Sequence, residues 1–124
     1  MNKKYHILLV EDEESMVTLI KYNLEQAGYS FSSVKNGKRA LEFCQQQKPD
    51  IIISDISMPE MDGYELREEL IRDENLRNIP FIFLTAKTQT DDKLKGIRLG
   101  VSHFLIKPFE PELLLLTISN ILTD

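Results

Sequence analysis

Several kinds of function are excluded by what the sequence lacks. Of its 124 residues only Cys44 is a cysteine, so neither an internal disulfide nor a cysteine-rich zinc site can form. There is no surplus of positive charge: 15 Lys and Arg against 20 Asp and Glu leave a formal −5. General nucleic-acid binding depends on clustered cations that neutralise phosphates, so no direct nucleic-acid contact is expected. No apolar run approaches the roughly 20 residues of a spanning helix. The start, Met1-Asn2-Lys3-Lys4-Tyr5, lacks the apolar stretch of a signal peptide. No membrane insertion and a cytoplasmic location are the corresponding expectations. Linkers, low-complexity tracts and internal repeats are missing too, so 1–124 reads as a single domain, long enough to bury its own core.

What the sequence does contain is alternation. Short apolar runs, Tyr5 to Val10, Ser30 to Val34, Ile51 to Ser54, Phe81 to Leu84 and His103 to Ile106, are separated by longer segments of helical period. Three of the runs are nearly continuous in Ile, Leu, Val and Phe, as in parallel strands covered on both faces. Ser30 to Val34 is more polar and suits an edge. Between the runs Val17, Ile20 and Leu24 recur at helical spacing, as do Ala40, Leu41 and Cys44, then Leu66 and Leu70, then Leu94 and Ile97, then Leu114, Ile118 and Ile121. Gly28, Pro49, Pro80 and Gly100 stand at the predicted stops. The pattern predicts an α/β fold, (βα)5: a doubly wound parallel five-stranded sheet with right-handed crossovers. In such sheets a ligand site forms beyond the carboxyl ends of the strands, near the point where strand order reverses.

At those ends the sequence places Glu11, Asp12, Glu13 and Glu14, then Asp55, then Thr85 and Ala86, then Lys107 and Pro108. The predicted topology gathers Glu11, Asp12, Asp55, Thr85 and Lys107 into one pocket. Three neighbouring carboxylates repel, and each raises the pKa of the others unless a cation is present. Oxygen donors without His or Cys select a hard ion, and a few carboxylates completed by water suit Mg²⁺ better than a fully caged Ca²⁺. One carboxylate could then attack phosphorus to form an acyl phosphate. Mg²⁺ and Lys107 would neutralise equatorial oxygens, and the Thr85 hydroxyl would donate to another.

These residues sit in motifs that resemble the receiver domain of two-component response regulators over essentially the whole chain. The motifs are Ile7-Leu8-Leu9-Val10-Glu11-Asp12-Glu13, Ser54-Asp55-Ile56-Ser57-Met58-Pro59-Glu60-Met61-Asp62-Gly63, Pro80 to Ala86, and Lys107-Pro108-Phe109. The resemblance implies a flavodoxin-like strand order 2-1-3-4-5, and that Asp55 is the phosphoacceptor for a sensor histidine kinase or phosphotransfer protein. It implies that Asp12, Asp55 and the backbone carbonyl of Ser57 bind Mg²⁺, with Glu11, where many members have Asp, acting directly or through water. Lys107 would pair with the phosphoryl group, and its bond to Pro108 is a candidate cis peptide. Thr85 and Phe104 match the family's switch pair, in which the hydroxyl moves to the phosphoryl group and the aromatic ring fills the space it leaves. Phe104 lacks the hydroxyl of the Tyr often found there, so an outward ring gains no hydrogen bond to water and an inward bias is expected. The signal would emerge on the face made by the fourth helix, fifth strand and fifth helix, and would control an output domain or effector protein. On this reading the chain is a signalling domain that catalyses only its own phosphorylation and dephosphorylation. Lys87 and Ser57 stand at positions associated in the family with phosphoryl lifetime.

Other residues invite plainer readings. Glu13 and Glu14 favour a helix N-terminus electrostatically. Cys44 reads as a small core residue, and His6 and His103 as surface or edge residues rather than ligands. Leu113, Leu114, Leu115 and Leu116 cover all sides of one helical turn, so with Leu114 inward, Leu113 and Leu116 point towards solvent, a partner or a neighbouring domain. Where many DNA-binding members carry an acidic pair and arginines that pair across a dimer, this chain has Ser102-His103 and Thr117-Ser119, which favours an apolar docking face. Three rivals fit less well. A phosphatase of the haloacid dehalogenase type needs an Asp where Ser57 stands. A nucleotide-binding Rossmann module needs a glycine-rich phosphate loop that is absent. A pseudo-receiver would have no use for the intact acidic pocket. The Lys3-Lys4 lead-in reads as a natural start, and whatever the switch controls would lie in another chain or beyond Asp124.

Overall fold

The computed structural model describes residues 4–86, 90–101 and 103–122, apart from the side chains of 90–93. Five strands, β1 (His6–Val10), β2 (Ser30–Val34), β3 (Ile51–Asp55), β4 (Phe81–Thr85) and β5 (His103–Ile106), alternate with five helices, α1 (Glu14–Gln26), α2 (Gly37–Gln46), α3 (Gly63–Arg72), α4 (Thr90–Arg98) and α5 (Pro111–Leu122). The sheet order is β2-β1-β3-β4-β5, the order the family resemblance implies, and every pairing is parallel, as the alternation predicted. The more polar β2 lies at one edge and β5 at the other.

The continuous apolar strands are explained by their two covered faces. Leu8, Val10, Ile52, Phe81 and Phe83 pack with Ala40 and Cys44 of α2 and Tyr64, Leu66 and Leu70 of α3. Ile7, Leu9, Ile51, Ile53, Ile82, Leu84 and Leu105 pack on the other face with Ile20 and Leu24 of α1 and Leu114 and Ile118 of α5. Adjacent residues on a strand serve opposite layers, so no position on β1 or β3 can be polar without facing a helix. Helix ends follow local chemistry. Asn36 caps α2 by accepting from the Arg39 N–H, and Asp62 with Glu65 forms a capping box on α3. Gly28 and Gly100, at φ 90° and 79°, end α1 and α4 in the left-handed conformation.

Two features differ from the sequence reading. Asp55 and Thr85 are the last residues of their strands rather than the first beyond them, because pairing continues through Asp55↔Leu84 and Thr85↔Ile106. Both candidate side chains thereby stand on hydrogen-bonded backbone. Leu94 and Ile97, although at helical spacing, do not form an inward stripe on α4: they are 46% and 58% exposed, and it is Gly96 that is buried against the sheet side.

Candidate functional site

The register of the three central strands makes the site. Val10 pairs with Ser54 and Asp55 with Leu84, so the residues that follow β1 and those that finish β3 and β4 emerge at one level. Carboxylate oxygens of Glu11, Asp12 and Asp55 all lie within 4.8 Å of one another. Glu11 is buried, with 2% of its surface exposed. Its Oε1 accepts from Lys107 Nζ at 3.0 Å and its Oε2 from the Glu13 N–H at 3.2 Å. Lys107 Nζ also lies 3.5 Å from Asp55 Oδ2. One lysine thus serves two carboxylates, while Asp12 lies exposed at the mouth.

Burial sets the electrostatics of these groups first, and their mutual charges second. Burial pushes the Asp55 carboxyl above its ordinary value, against the pull of Lys107, and Asp12 adds a smaller upward push. Glu11 is raised by burial too, with its Lys107 hydrogen bond opposing. Burial alone would lower Lys107, but its hydrogen bond to Glu11 and the charges of Asp55 and Glu11 outweigh it and raise the ammonium instead. The donor set is oxygen only, clustered and charge-rich, which fits Mg²⁺ completed by water.

The remaining predicted residues lie partly around this cluster and partly away from it. Thr85 is buried, and its carbonyl accepts from the Lys107 N–H at 2.6 Å, which ties the ends of β4 and β5 together. The Lys107–Pro108 peptide is cis. Phe104 is half-buried, its ring tilted 37° against Phe83 with centroids 5.9 Å apart. Ser57 is exposed in the loop after β3, two residues beyond Asp55. Leu113 and Leu116 are 48% and 57% exposed on α5, beside Ile106 of β5 at 38%. Cys44 is buried, and its thiol is pushed up to about 11 by that burial. His6 is more enclosed than expected, with its ring nitrogens 2.8 Å from the Ser30 and Ser32 hydroxyls. Lys87 and Ser102 fall outside the described residues.

The sequence reading missed a brace on the loop that follows Asp55. Buried Asn36 donates through Nδ2 to Glu60 Oε2 at 2.8 Å, and the Gly37 N–H donates to the Met61 carbonyl at 3.0 Å. Glu60 holds φ 67°, a left-handed conformation that a non-glycine residue keeps only when its surroundings impose it. The Asn36-Gly37 pair signals a helix cap, but nothing local signals its partner 24 residues away.

Fold and pocket together define a class: a flavodoxin-like sheet with an acidic, lysine-bridged cluster at its carboxyl edge. Comparison with known proteins makes the class specific. Residues 7–119 match the response regulator receiver domain, and the chain belongs to that family, a family of signalling domains whose general function is phosphorylation by a histidine kinase. It is 44% identical over 111 residues to the alkaline phosphatase synthesis transcriptional regulatory protein PhoP of Bacillus subtilis, covering 90% of this chain and 45% of PhoP. The chain spans about half the length of the curated relatives it matches. Among solved structures it resembles the chemotaxis response regulator CheY4 of Vibrio cholerae, with TM-score 0.90, 32% identity and coverage of 96% and 99% of the two chains. It is equally similar to the receiver domain of the sensor histidine kinase PA1611 from Pseudomonas aeruginosa, with TM-score 0.90, 31% identity and coverage of 98% and 100%. That structure has a magnesium ion coordinated in its active-site cleft. Among the described residues of the present chain no helix is long and apolar enough to cross a membrane.

Proposed function

We propose that the chain takes a phosphoryl group from the phosphohistidine of a sensor kinase or phosphotransfer protein onto Asp55. The observation that carries this is the cluster itself: three carboxylates within 4.8 Å of one another, two of them bridged by Lys107. In the reaction an Asp55 carboxylate oxygen forms a bond to phosphorus as the phosphorus–nitrogen bond to the donor histidine breaks. The electron pair of that bond stays on the imidazole, which takes up a proton. Glu11, Asp12 and Asp55, with the Ser57 carbonyl, would hold Mg²⁺, which supplies positive charge to the equatorial oxygens when bound. Lys107, already 3.5 Å from Asp55 Oδ2, neutralises a further phosphoryl oxygen. The Thr85 hydroxyl donates to another, and its movement frees space that the Phe104 ring occupies. Hydrolysis of the acyl phosphate in the same pocket resets the domain.

The change is read on the face of α4, β5 and α5. Its exposed aliphatic residues, Leu94, Ile97, Ile106, Leu113 and Leu116, suit an apolar contact with an output domain or effector protein, with Leu113 and Leu116 at its α5 side. A cytoplasmic setting accords with this role. The test is incubation with acetyl phosphate and Mg²⁺ while intact mass is recorded. One phosphoryl group should be gained by the native chain and none by Asp55→Asn; labelling that survives that substitution would place the acceptor elsewhere.

A further inference from the structure

Gly96 sits in the last turn of α4, where glycine is a poorer helix former than alanine. A Cβ built on it would lie 2.6 Å from Phe104 Cζ, 2.8 Å from Phe104 Cε1 and 3.2 Å from Phe83 Cε2. The bare backbone of α4 is therefore the roof of a slot, and the Phe104 ring fills it. The floor is Phe83, paired with Phe104 across the β4–β5 ladder, fully buried and held edge-on by Tyr64 and Phe81 at centroid distances of 5.3 and 5.0 Å. The floor cannot yield, because Phe83 is packed on every side. On the α3 side α4 is held by Lys95, whose Nζ lies 4.7 Å from the Tyr64 ring centroid. Since Leu94 and Ile97 face outward, the ring beneath Gly96 is a principal contact between α4 and the strands at this level.

We infer that Gly96 is the positioning residue of the switch: the missing side chain admits the Phe104 ring under α4, so that ring position and helix placement change together. A methyl group at 96 meets the far end of the ring below 3.0 Å, and the ring, free to turn about its side-chain torsions, is the part that must leave. With the ring held out, phosphorylation at Asp55 would proceed but would no longer reach the α4-β5-α5 face. This coupling rests on the proposed role of Thr85 and Phe104, whereas the slot itself rests on the distances alone.

The experiment separates the two. Urea denaturation of the native chain, Gly96→Ala, Phe104→Ala and the double variant forms a cycle. Alanine at 96 should lower the unfolding midpoint markedly when Phe104 is present and much less when Phe104 is Ala, since the 3.2 Å approach to Phe83 alone then opposes helix propensity. A change of equal size in both backgrounds overturns the slot. If Gly96→Ala fails to fold alone, recovery in the double variant still reports the clash. Backbone amide spectra before and after acetyl phosphate and Mg²⁺ then test the coupling. In Gly96→Ala, the mass gain at Asp55 should persist while the shift changes on α4, β5 and α5 fall several-fold from the native response. Full-sized changes in that variant overturn the coupling. An absence of such changes in the phosphorylated native chain would instead sink the switch reading and leave the slot to be judged by the cycle.

Discussion

The two ends of the sheet both bury charge and treat it in opposite ways. At the amino end Arg67 is 8% exposed, yet its guanidinium is served from within the fold: Nε donates to the Leu99 carbonyl at 2.9 Å and Nη1 to the Arg77 carbonyl at 3.3 Å. The Leu99 carbonyl closes the C-terminal end of α4, where the helix dipole favours a cation, and the Phe81 ring lies 5.8 Å from the guanidinium carbon. Nearby, His6 is bracketed by two serine hydroxyls and its N–H donates to Asp50 Oδ2 at 2.8 Å. At the carboxyl end Glu11 and Asp55 share Lys107 with Asp12 close by, and among the described residues these three carboxylates outnumber the cations that face them. Charge satisfied by the fold is architecture. Charge gathered and left unbalanced is a place for something else to bind.

The largest test of this contrast is Arg67→Ala. It should cost about 2–3 kcal/mol, because two main-chain carbonyls lose charged donors and the packing on Phe81 is lost, while acetyl phosphate labelling of Asp55 continues. Urea denaturation and intact mass measure the two effects, and a loss of labelling in folded Arg67→Ala would mean that the ends are not independent. At the other end the sign reverses. Asp55→Asn removes a partly buried charge from a crowded cluster, so the metal-free protein should gain on the order of 1 kcal/mol. A loss of stability on that substitution would show that Lys107 already balances the pocket.

The smallest effect is a slope with pH. Burial raises the folded-state values of Glu11 and Asp55 above the ordinary 4.5 and 3.8, so between those values and the raised ones the native state binds more protons than the unfolded chain. Linkage then makes the pocket's contribution to metal-free stability fall as pH rises through that window. Lys107, raised above 10.5, contributes stability that is present below that value and is lost as pH climbs through its folded-state value. Asp55→Asn should flatten the acidic slope. Mg²⁺ should reverse it by competing with protons for the carboxylates, and thermal unfolding at several pH values with and without the ion would reveal both changes.

Most of the site was legible because each of its residues stands at a strand end, and strand ends are marked by local signals. Val10 is followed by two acids, Ser54 by Asp55, Leu84 by Thr85 and Ile106 by Lys107. What was illegible needed distance. Asn36 and Glu60 meet only because α2 abuts the loop after β3. Leu94 and Ile97 carry an inward pattern, yet they face outward and Gly96 lies on the sheet side, and a missing side chain leaves no mark on an apolar period.

The sequence by itself determined the alternation of strands and helices, the two-faced burial of the central strands, the edge position of β2 and the roll of pocket residues. These follow from side-chain period, turn residues and composition, which act over a few residues. Tertiary structure alone decided that Lys107 bonds Glu11, 96 residues away, as well as lying beside Asp55, that Arg67 is served by carbonyls, and that Phe104 lies beneath Gly96. Each depends on which backbones pack together and how closely, a matter of distances between segments that no local pattern encodes.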